Sequence, residues 1–588
     1  MVSKLGTMRT NNVTLKAGGE AGSGIATIGA VFSRIMKRSG LWAFGTNDYP
    51  SLIRGGHNTI TIRASDERIF ALHGKIDILI ALDKKTITEH YTEMEDGGAI
   101  IYDSDKIKKE EVNISRQDVE LLDIPLTKMA NEAGGQIFFN QVAMGATLAL
   151  LGLDLNPLQQ LMEETFSRKG KEIVSKNMDA AKKGFEYLKA MQREQFYIKI
   201  VPRKNPRDTL ILGGNDAVCL GAIKAGVKLV AEYPMSPSSS VLHWMAAHAS
   251  KHDLVVKHTE DEISAMNYIL GAGFAGVRAM TATSGGGFSL MVEALGNGGI
   301  AEIPCVVVDV QRAGPSTGLP TYTEQADLQF AMHASQGEFP RIICMLGDVE
   351  EAFYETFNVF NMSELVQTPA LILMDKYIGE STQTIDRFDL EGMKVKRGKL
   401  MSDEQMEGMT NFKRHELSAN GISPRSIPGQ KNGLHVCSSY EHDETGYTSE
   451  EADNRVAQIN KRASKMDAIN PNLYQPVFYG DAKSTFLLVS WGSTKGVVLE
   501  AMKLLGKENI SIRFMHIKYA CPFASEAIKQ ALQAAPKVLI CEGNSTGQMR
   551  NFIREKTGVL IENVYLRYDG RPFEAQGIVD KIKEINSK

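Results

Sequence analysis

The sequence has few cysteines and no C-x-x-C pair. Its 588 residues include six cysteines, and the closest two are 20 residues apart; they are Cys219, Cys305, Cys344, Cys437, Cys521 and Cys541. This spacing excludes both a disulfide framework and a local zinc or iron–sulfur nest. Apolar neighbours predict that Cys219, Cys305 and Cys344 are buried thiols. We therefore expect a cytoplasmic chain that binds no metal of its own.

Long apolar runs and a strong net charge are also missing. A membrane span needs about 20 apolar residues, and the best candidate covers only residues 144–153. The N-terminus has no basic segment followed by an apolar core, so we expect no signal peptide. With 66 Lys+Arg against 70 Asp+Glu, the surface lacks the basic field of a general nucleic-acid binder. These absences argue against both nucleic-acid and membrane partners.

Length and pattern predict an α/β protein of several domains. Apolar runs typical of buried strands alternate with helical stretches, and 43% of the residues are hydrophobic, enough for a core in each domain. The pattern divides the chain into an α/β domain at 1–198, a doubly wound domain at 199–380, a polar connector at 381–470 and a βαβ domain at 471–588. The connector is either an extended link or a partner-binding surface, because it shows little apolar period.

Residues 18–24, Gly-Gly-Glu-Ala-Gly-Ser-Gly, form a glycine turn between a predicted strand and helix. Backbone N–H groups in such a turn can approach an anion at the helix N-terminus. Tight βα turns also need glycine for packing alone, and both interpretations stay open. The spacing fits neither the dinucleotide fingerprint nor a Walker loop.

Three further strand ends carry polar motifs. They read Tyr-Pro-Met-Ser-Pro-Ser-Ser-Ser at 233–240, Thr-Ala-Thr-Ser-Gly-Gly-Gly at 281–287 and Asp-Val-Gln-Arg-Ala-Gly-Pro-Ser-Thr-Gly at 309–318. Between the first two, an acidic run at 260–262 precedes a helix of small residues. Open α/β sheets bind ligands at the carboxyl ends of their strands. The motifs thus place hydroxyls, carboxylates and an arginine where a ligand would bind.

In this order, these runs resemble the alpha subunit of 2-oxoacid:ferredoxin oxidoreductases. The match is closest to the branch with the gamma domain fused ahead of alpha, as in 2-oxoglutarate:ferredoxin oxidoreductase. It covers nearly the whole chain, since residues 18–24 resemble the gamma opening and Glu-Gly-Asn-Ser-Thr-Gly-Gln at 542–548 resembles the C-terminal transketolase-like domain. The resemblance implies a gamma-type domain, a pyrimidine-binding domain of the thiamine diphosphate type and a transketolase-C-like domain.

The resemblance also implies a thiamine diphosphate site shared between two chains. This chain would hold the aminopyrimidine, while a beta subunit would hold the diphosphate, Mg²⁺ and a [4Fe–4S] cluster. The cysteine spacing agrees, and the sequence has no G-D-G…N motif for diphosphate and Mg²⁺. Coenzyme A would be the co-substrate and ferredoxin the electron acceptor. The expected assembly is a dimer of alpha–beta heterodimers.

Glu262 matches the family's catalytic glutamate. A carboxylic acid bonded to the ring nitrogen favours the imino tautomer of the aminopyrimidine, which removes the C2 proton of the thiazolium. The alternative is a solvated acid at a helix start, stabilised by the helix dipole. The resemblance further assigns Tyr233, Pro234 and Ser284 to cofactor binding.

Arg312 and Ser236 are the candidates for holding the substrate. A guanidinium pairs with a carboxylate through two hydrogen bonds, and the Ser236 hydroxyl could donate to the substrate oxygens. The family usually has Tyr-Pro-Ile-Thr-Pro, whereas this chain has Met235-Ser236, and Gly286 stands where proline is common. These departures leave the shape of the substrate open.

The predicted function is oxidative decarboxylation of a 2-oxoacid with coenzyme A to acyl-CoA and CO2, with single electrons passed to ferredoxin. Overall resemblance favours 2-oxoglutarate, and pyruvate, branched-chain or aryl 2-oxoacids are the alternatives. A non-catalytic scaffold for a beta subunit is a further alternative, against which the presence of Glu262 and Arg312 argues. A nicotinamide dehydrogenase would need a dinucleotide fingerprint that the glycine turns do not supply.

Overall fold

The computed structural model describes residues 8–52, 55–112, 114–167, 170–191 and 193–587. The chain divides into two compact units. The first runs to Leu212 and adds Ser381–Phe388, and the second comprises Gly213–Glu380 and Asp389–Lys588. Strands and helices are numbered in chain order.

The first unit is a layered α/β structure. Its strands are β1 Arg9–Thr10, β2 Asn12–Glu20, β3 Trp42–Asp48, β4 His57–Ser65, β5 Ile76–Ala81, β6 Met94–Asp103, β7 Glu120–Ile124, β8 Ile198–Lys199, β9 Thr209–Leu212 and β16 Thr382–Asp386. Its helices are α1 Ile25–Arg38, α2 Lys84–His90, α3 Leu126–Glu132, α4 Phe139–Leu150, α5 Asn156–Phe166 and α6 Lys171–Ala190. Eight strands form one sheet in the order β7-β6-β5-β2-β4-β3-β16-β9, and β1 pairs with β8.

The glycine turn is shorter than the motif, because β2 continues through Glu20. Gly18 lies inside that strand, and a Cβ there would stand 2.7 Å from Thr86 Cγ2. Gly22 and Gly24 form the turn with φ of 88° and 75°, a left-handed conformation that favours glycine. Packing and turn geometry therefore account for these three glycines.

The first unit extends beyond the boundary predicted at residue 198. Its sheet includes β9, which pairs antiparallel with β16, and β16 also pairs with β3. Strands β9 and β16 are about 170 residues apart in the sequence, so no local pattern reveals their pairing.

The second unit contains the remaining elements. Its strands are β10 Leu229–Glu232, β11 Val255–His258, β12 Ala279–Thr283, β13 Cys305–Gln311, β14 Ile342–Met345, β15 Pro369–Asp375, β17 Val477–Gly480, β18 Phe486–Trp491, β19 Arg513–Ile517, β20 Tyr519–Cys521, β21 Lys537–Glu542 and β22 Asn563–Leu566. Its helices are α7 Gly214–Lys224, α8 Ser239–His252, α9 Glu262–Phe274, α10 Gly285–Ile300, α11 Leu328–His333, α12 Val349–Val366, α13 Lys376–Gly379, α14 Asp403–Glu407, α15 Ala452–Ser464, α16 Thr494–Lys507, α17 Ser525–Ala534, α18 Gln548–Thr557 and α19 Ala575–Ser587.

Two sheets organise the second unit. The larger has the order β11-β10-β12-β13-β15-β14-β20 and is parallel except for β20. Every residue of β13 and β15 is buried, as expected for parallel strands covered on both faces. The smaller sheet has the order β17-β19-β18-β21-β22. The structure thus confirms the predicted α/β fold class.

The motif at 542–548 builds the start of α18. Both carboxylate oxygens of buried Glu542 accept backbone N–H groups, from Met549 at 2.8 Å and Arg550 at 2.9 Å. Asn544 Oδ1 accepts the N–H of Gly547 at 2.8 Å. These bonds satisfy donors that a helix N-terminus leaves unpaired. The motif therefore has a structural role in this chain.

The polar segment at 389–470 packs onto the second unit instead of forming a bare link. Buried Glu302 pairs with Lys461 at 2.5 Å and with Lys465 at 2.9 Å, and all three side chains are almost fully buried. Ionic and polar contacts replace the apolar period that sequence analysis looks for, which is why the segment resembled an extended connector.

Cys219, Cys305 and Cys344 are buried, as predicted, and Cys437 is exposed. Among the helices in the described part of the chain, none is long and apolar enough to cross a membrane.

Candidate active site

Four neighbouring strands bring the predicted site residues together. Strands β11, β10, β12 and β13 lie side by side and run parallel. Glu262 follows β11, Ser236 follows β10, Ser284 follows β12 and Arg312 follows β13. Since the carboxyl ends of parallel strands share one edge, all four residues belong to the same end of the sheet.

Glu262 is a buried acid, not a solvated one. It begins α9 and is 3% exposed. Its neighbour Asp261 caps this helix, with Oδ1 accepting the N–H of Ser264 at 2.7 Å, while Glu260 is exposed. Glu262 Oε1 has no hydrogen-bond partner among the described residues. Burial raises the pKa of Glu262, and the charge of Asp261 adds to this effect.

Gly287 makes room for that carboxyl group. A Cβ at this position would stand 2.4 Å from Glu262 Oε1 and 2.2 Å from Thr283 Oγ1. By contrast, a Cβ on Gly286 would meet nothing closer than 3.8 Å. The Thr-Ser-Gly-Gly-Gly run therefore lets the first turn of α10 lie directly against Glu262.

Arg312 connects two of the strand ends. Its Nη1 donates to the backbone carbonyl of Ser236 at 2.6 Å, and its Nε has no partner among the described residues. Ser236 is exposed and Arg312 is half-buried. The guanidinium thus holds the Ser236 loop through the main chain and keeps further donors free.

A cavity of about 570 Å³ opens beside Arg312. It is lined by the loops after β10 and β13 and by the starts of α10 and α11: Met235, Ser284, Gly285, Gly286, Ser289, Arg312, Gly314, Pro315, Ser316, Thr317, Asp327 and Phe330. Its volume suits a small organic acid together with part of a cofactor.

Two acids beside Arg312 were not assigned a role from the sequence. Burial and the neighbouring carboxyl of Asp327 raise the pKa of Asp309 well above its usual range. Burial, followed by the charge of Glu324, raises the pKa of Asp327 to about 6. Asp309 was visible as a polar residue inside an apolar strand. Asp327 lies in a loop 15 residues beyond Arg312, and no local signal marks it.

The remaining predicted residues occupy the same edge. Ser284 is fully buried at the N-cap of α10, and its Oγ has no partner in the described part of the chain. Tyr233 is 38% exposed, with its ring centroid 6.3 Å from that of His258, and Pro234 is half-buried. Tyr233, Pro234, Ser236 and Glu262 do not line the cavity.

Comparison with known proteins identifies the family. A family model described as "Pyruvate ferredoxin/flavodoxin oxidoreductase" matches residues 14–187. A second, described as "Pyruvate flavodoxin/ferredoxin oxidoreductase, thiamine diP-bdg", matches residues 220–461. The 2-oxoacid:ferredoxin oxidoreductase subunit alpha of a Sulfolobus species is 31% identical over 95% of this chain and 94% of its own. The chain belongs to the 2-oxoacid:ferredoxin oxidoreductase family.

Two further relatives support this membership. The 2-oxoglutarate oxidoreductase subunit KorA of Mycobacterium tuberculosis is 28% identical, covering 95% of this chain and 89% of its own. A solved 2-oxoglutarate:ferredoxin oxidoreductase from Magnetococcus marinus, with 2-oxoglutarate, coenzyme A and succinyl-CoA bound, has a TM-score of 0.89 at 32% identity. It covers 98% of this chain and 99% of that one.

The family prediction and its oxidoreductase activity are thereby confirmed. The chain carries a thiamine diphosphate-binding domain, and the Sulfolobus relative is named an alpha subunit. The residues fit the pyrimidine half of thiamine diphosphate, because Glu262 Oε1 and Ser284 Oγ are buried polar atoms without partners among the described residues. The roles of the individual site residues stay predictions.

Proposed function

We propose that this chain is the pyrimidine-holding alpha subunit of an enzyme that oxidatively decarboxylates 2-oxoglutarate. The observation that carries the proposal is the convergence at one sheet edge of a buried acid and an arginine beside an open cavity. Thiamine diphosphate, when bound, supplies the carbanion chemistry of decarboxylation. The side chains of this unit position the reactants and donate or accept protons.

Glu262 holds a proton at Oε1 and donates it in a hydrogen bond to the cofactor ring. Burial keeps its carboxyl group out of competition with water, and the raised pKa favours the form that donates a hydrogen bond. A donor of this kind matches a ring nitrogen that must be polarised. Glu260 and Asp261 cannot replace it, since one is exposed and the other caps α9.

Arg312 would hold the 2-oxoacid carboxylate. One nitrogen is engaged with the Ser236 carbonyl, which fixes the plane of the guanidinium and leaves other N–H groups for a ligand. Ser289, whose hydroxyl donates to the carbonyl of Gly285 at 3.0 Å, also lines this cavity. Ser316 and Thr317 belong to the same lining, and their hydroxyls are available. They provide the neutral donors that a second carboxylate on the substrate requires.

The identity of the 2-oxoacid is supported by the relatives. Both the Mycobacterium tuberculosis relative and the Magnetococcus marinus structure carry 2-oxoglutarate in their names, and the latter also binds coenzyme A. The Ser316 and Thr317 hydroxyls in the cavity lining agree with a dicarboxylate better than with a branched-chain or aryl side chain. Coenzyme A would accept the acyl group.

A beta subunit would complete the site. It would supply the diphosphate and Mg²⁺ half and the iron–sulfur cluster that passes single electrons to ferredoxin. The arrangement we propose is a dimer of alpha–beta heterodimers. A scaffold without chemistry would have no need to bury an unpaired carboxyl at Glu262, which costs free energy when it serves no ligand.

The test is an assay of the two-chain complex. The chain is co-expressed with its beta subunit, and the purified complex is given a panel of 2-oxoacids, coenzyme A and a viologen dye. We expect 2-oxoglutarate to have the highest kcat/KM and dye reduction to require coenzyme A. A higher kcat/KM for pyruvate, a branched-chain or an aryl 2-oxoacid would contradict the assigned substrate, and no reduction with any 2-oxoacid would contradict the enzymatic role.

A further inference from the structure

The first unit contains a cluster of histidine and carboxylate side chains that the proposed function does not use. His57 lies at the start of β4, while Glu89 and His90 end α2. One ligand atom from each lies within 4.8 Å of the other two. The Nε2 atoms of His57 and His90 are 2.9 Å apart, and His57 Nε2 is 3.7 Å from Glu89 Oε2.

His90 has an outer contact of the kind found around a metal, whereas His57 Nδ1 has no partner among the described residues. His90 Nδ1 is 2.6 Å from Glu93 Oε1, and Glu93 also pairs with Lys16. A carboxylate at Nδ1 holds that nitrogen as the donor and leaves the Nε2 lone pair available. Metal-bound histidines almost always have such a partner, which fixes the ring and raises its basicity.

The position of the cluster permits entry from solvent. The side chains of His57 and His90 are 9% and 13% exposed, whereas Glu89 is 45% exposed. Gly18 allows β2 to lie close to the His57 ring, since a Cβ there would stand 3.2 Å from His57 Cε1. Strand β2 thus packs against the His57 ring, and the cluster is open to solvent at the exposed residue Glu89.

We propose that His57, Glu89 and His90 bind a divalent transition-metal ion, with zinc the best match. Two imidazoles and one carboxylate are the donor set of zinc sites that keep a fourth position open. Tetrahedral zinc with bonds of about 2.0–2.1 Å places two nitrogen ligands roughly 3.3 Å apart. The two Nε2 atoms need to separate by only about 0.4 Å to reach that geometry.

A second cluster shows why the choice falls on the first unit. Glu302, His415 and His442 also bring ligand atoms within 4.8 Å of one another. Lys461 and Lys465 already pair with both oxygens of Glu302. Two ammonium groups would repel a cation there, so that cluster is an internal ion network. At the first-unit cluster Lys16 pairs with Glu93, and the exposed Lys85 lies 3.6 Å from Glu89 Oε1, which leaves Glu89 Oε2 beside His57 for a metal.

Cysteine spacing excluded only a thiolate site, so this site departs from the prediction that the chain binds no metal. The ligands come from two separate elements, β4 and α2. No C-x-x-C or H-x-x-H spacing in the sequence predicts these ligands. The ion would fasten α2 to β4 next to the turn that follows β2.

The test measures metal binding by the purified full-length chain, stripped with a chelator and free of a histidine tag. A Cys437→Ser background removes the exposed thiol as a competing ligand. Zn²⁺ is titrated against a chromophoric chelator, and Co²⁺ is followed by its visible absorption. We expect one ion per chain, tetrahedral cobalt bands, and a melting temperature of the zinc-loaded chain raised by a few degrees.

Single variants locate the site. His57→Ala or His90→Ala should weaken zinc binding at least 100-fold, and Glu93→Gln should weaken it about 10- to 100-fold as an outer contact. The exposed His243→Ala on α8 is the control and should leave affinity unchanged. If a histidine variant fails to fold, Glu89→Gln replaces it as the test, because Glu89 is exposed. We expect this variant to lose about tenfold in zinc affinity.

Stoichiometric binding that survives in the folded His57 and Glu89 variants would overturn the proposal. So would failure of the parent chain to bind Zn²⁺ at micromolar concentrations. In either case the 2.9 Å contact between the imidazoles is a hydrogen bond that shares one proton.

Discussion

Arg312 donates a hydrogen bond from Nη1 to the backbone carbonyl of Ser236, at 2.6 Å. The contact joins the loop after β10 to the end of β13, and it uses only one of the three guanidinium nitrogens, Nη1. It also shows that Ser236 approaches Arg312 through its main chain and not through its hydroxyl. A structural role and a substrate-binding role can therefore coexist in Arg312, and the first predictions separate them.

Arg312→Lys keeps the charge but replaces a planar fork with a single ammonium. If Arg312 holds the substrate carboxylate, kcat/KM for the 2-oxoacid should fall by roughly 1.5–3 kcal/mol in transition-state free energy. Steady-state kinetics and thermal denaturation on one preparation measure both effects. A lowered melting temperature with unchanged KM would leave Arg312 with only its loop-holding role.

Arg341→Lys is the matched control for that experiment. Arg341 is buried and donates to the carbonyls of Ala331 at 3.1 Å and Ala334 at 2.7 Å. Its replacement should lower thermal stability and leave KM for the 2-oxoacid unchanged.

Gly287→Ala should impair both folding stability and activity. The new Cβ would overlap Glu262 Oε1 and Thr283 Oγ1, and overpacking of this kind costs about 1–3 kcal/mol. Gly286→Ala is the control, because the space beside Gly286 is open and alanine favours the helix. Chemical denaturation of both variants checks the difference. Equal stability of the two variants would show that the first turn of α10 does not press on Glu262.

Asp327→Asn should change how stability depends on pH. Native Asp327 keeps its proton up to about pH 6, whereas an aspartate in the unfolded chain loses it near pH 4. Between these values the native state binds more protons, so the contribution of Asp327 to stability falls as the pH rises. Asparagine does not titrate. The free energy of unfolding of Asp327→Asn relative to wild type should therefore increase from pH 4 to pH 7.

Urea titrations of both proteins across that range measure the change. Asp309, Glu324 and Arg312 influence the Asp327 carboxyl, and Asp327 in turn raises the pKa of Asp309, so the measured pH dependence belongs to the pair. A difference between the proteins that is constant with pH would contradict the raised pKa of Asp327.

The isolated chain should bind thiamine diphosphate weakly or not at all. It carries the pyrimidine-binding half, and the diphosphate and Mg²⁺ contacts would come from the beta subunit. Isothermal titration calorimetry of the chain with thiamine diphosphate and Mg²⁺ checks this, with the two-chain complex as the control. Micromolar binding by the chain alone would contradict a divided site.

Sequence reasoning placed the candidate residues at one sheet edge, because each follows a strand that is recognisable as an apolar run. The motifs around Ser236, Ser284 and Arg312 each end a buried strand, so their common edge follows from parallel pairing. The burial of Glu262 did not follow, since three consecutive acids at 260–262 look alike until the helix is placed. Asp261 takes the cap, and Glu262 turns inward.

Contacts between segments far apart in the sequence could not be predicted from local sequence patterns. The proximity of Asp327 to Arg312 depends on the path of a loop, and the strand pair β9 and β16 depends on residues far apart in the chain. The segment predicted as a polar connector at 381–470 is held from residue 389 onward by buried ion pairs such as Glu302 with Lys465. Apolar periodicity does not report such interactions.

The most direct test of the account is the turnover of Glu262→Gln in the complex with the beta subunit. Glutamine keeps the size of the side chain but cannot transfer a proton, so kcat should fall on the order of 10²-fold or more. Folding and association with the beta subunit should persist. Glu260→Gln, an exposed acid two residues earlier, should retain wild-type kcat. Near-normal turnover in Glu262→Gln would contradict the central claim that this buried acid serves the reaction.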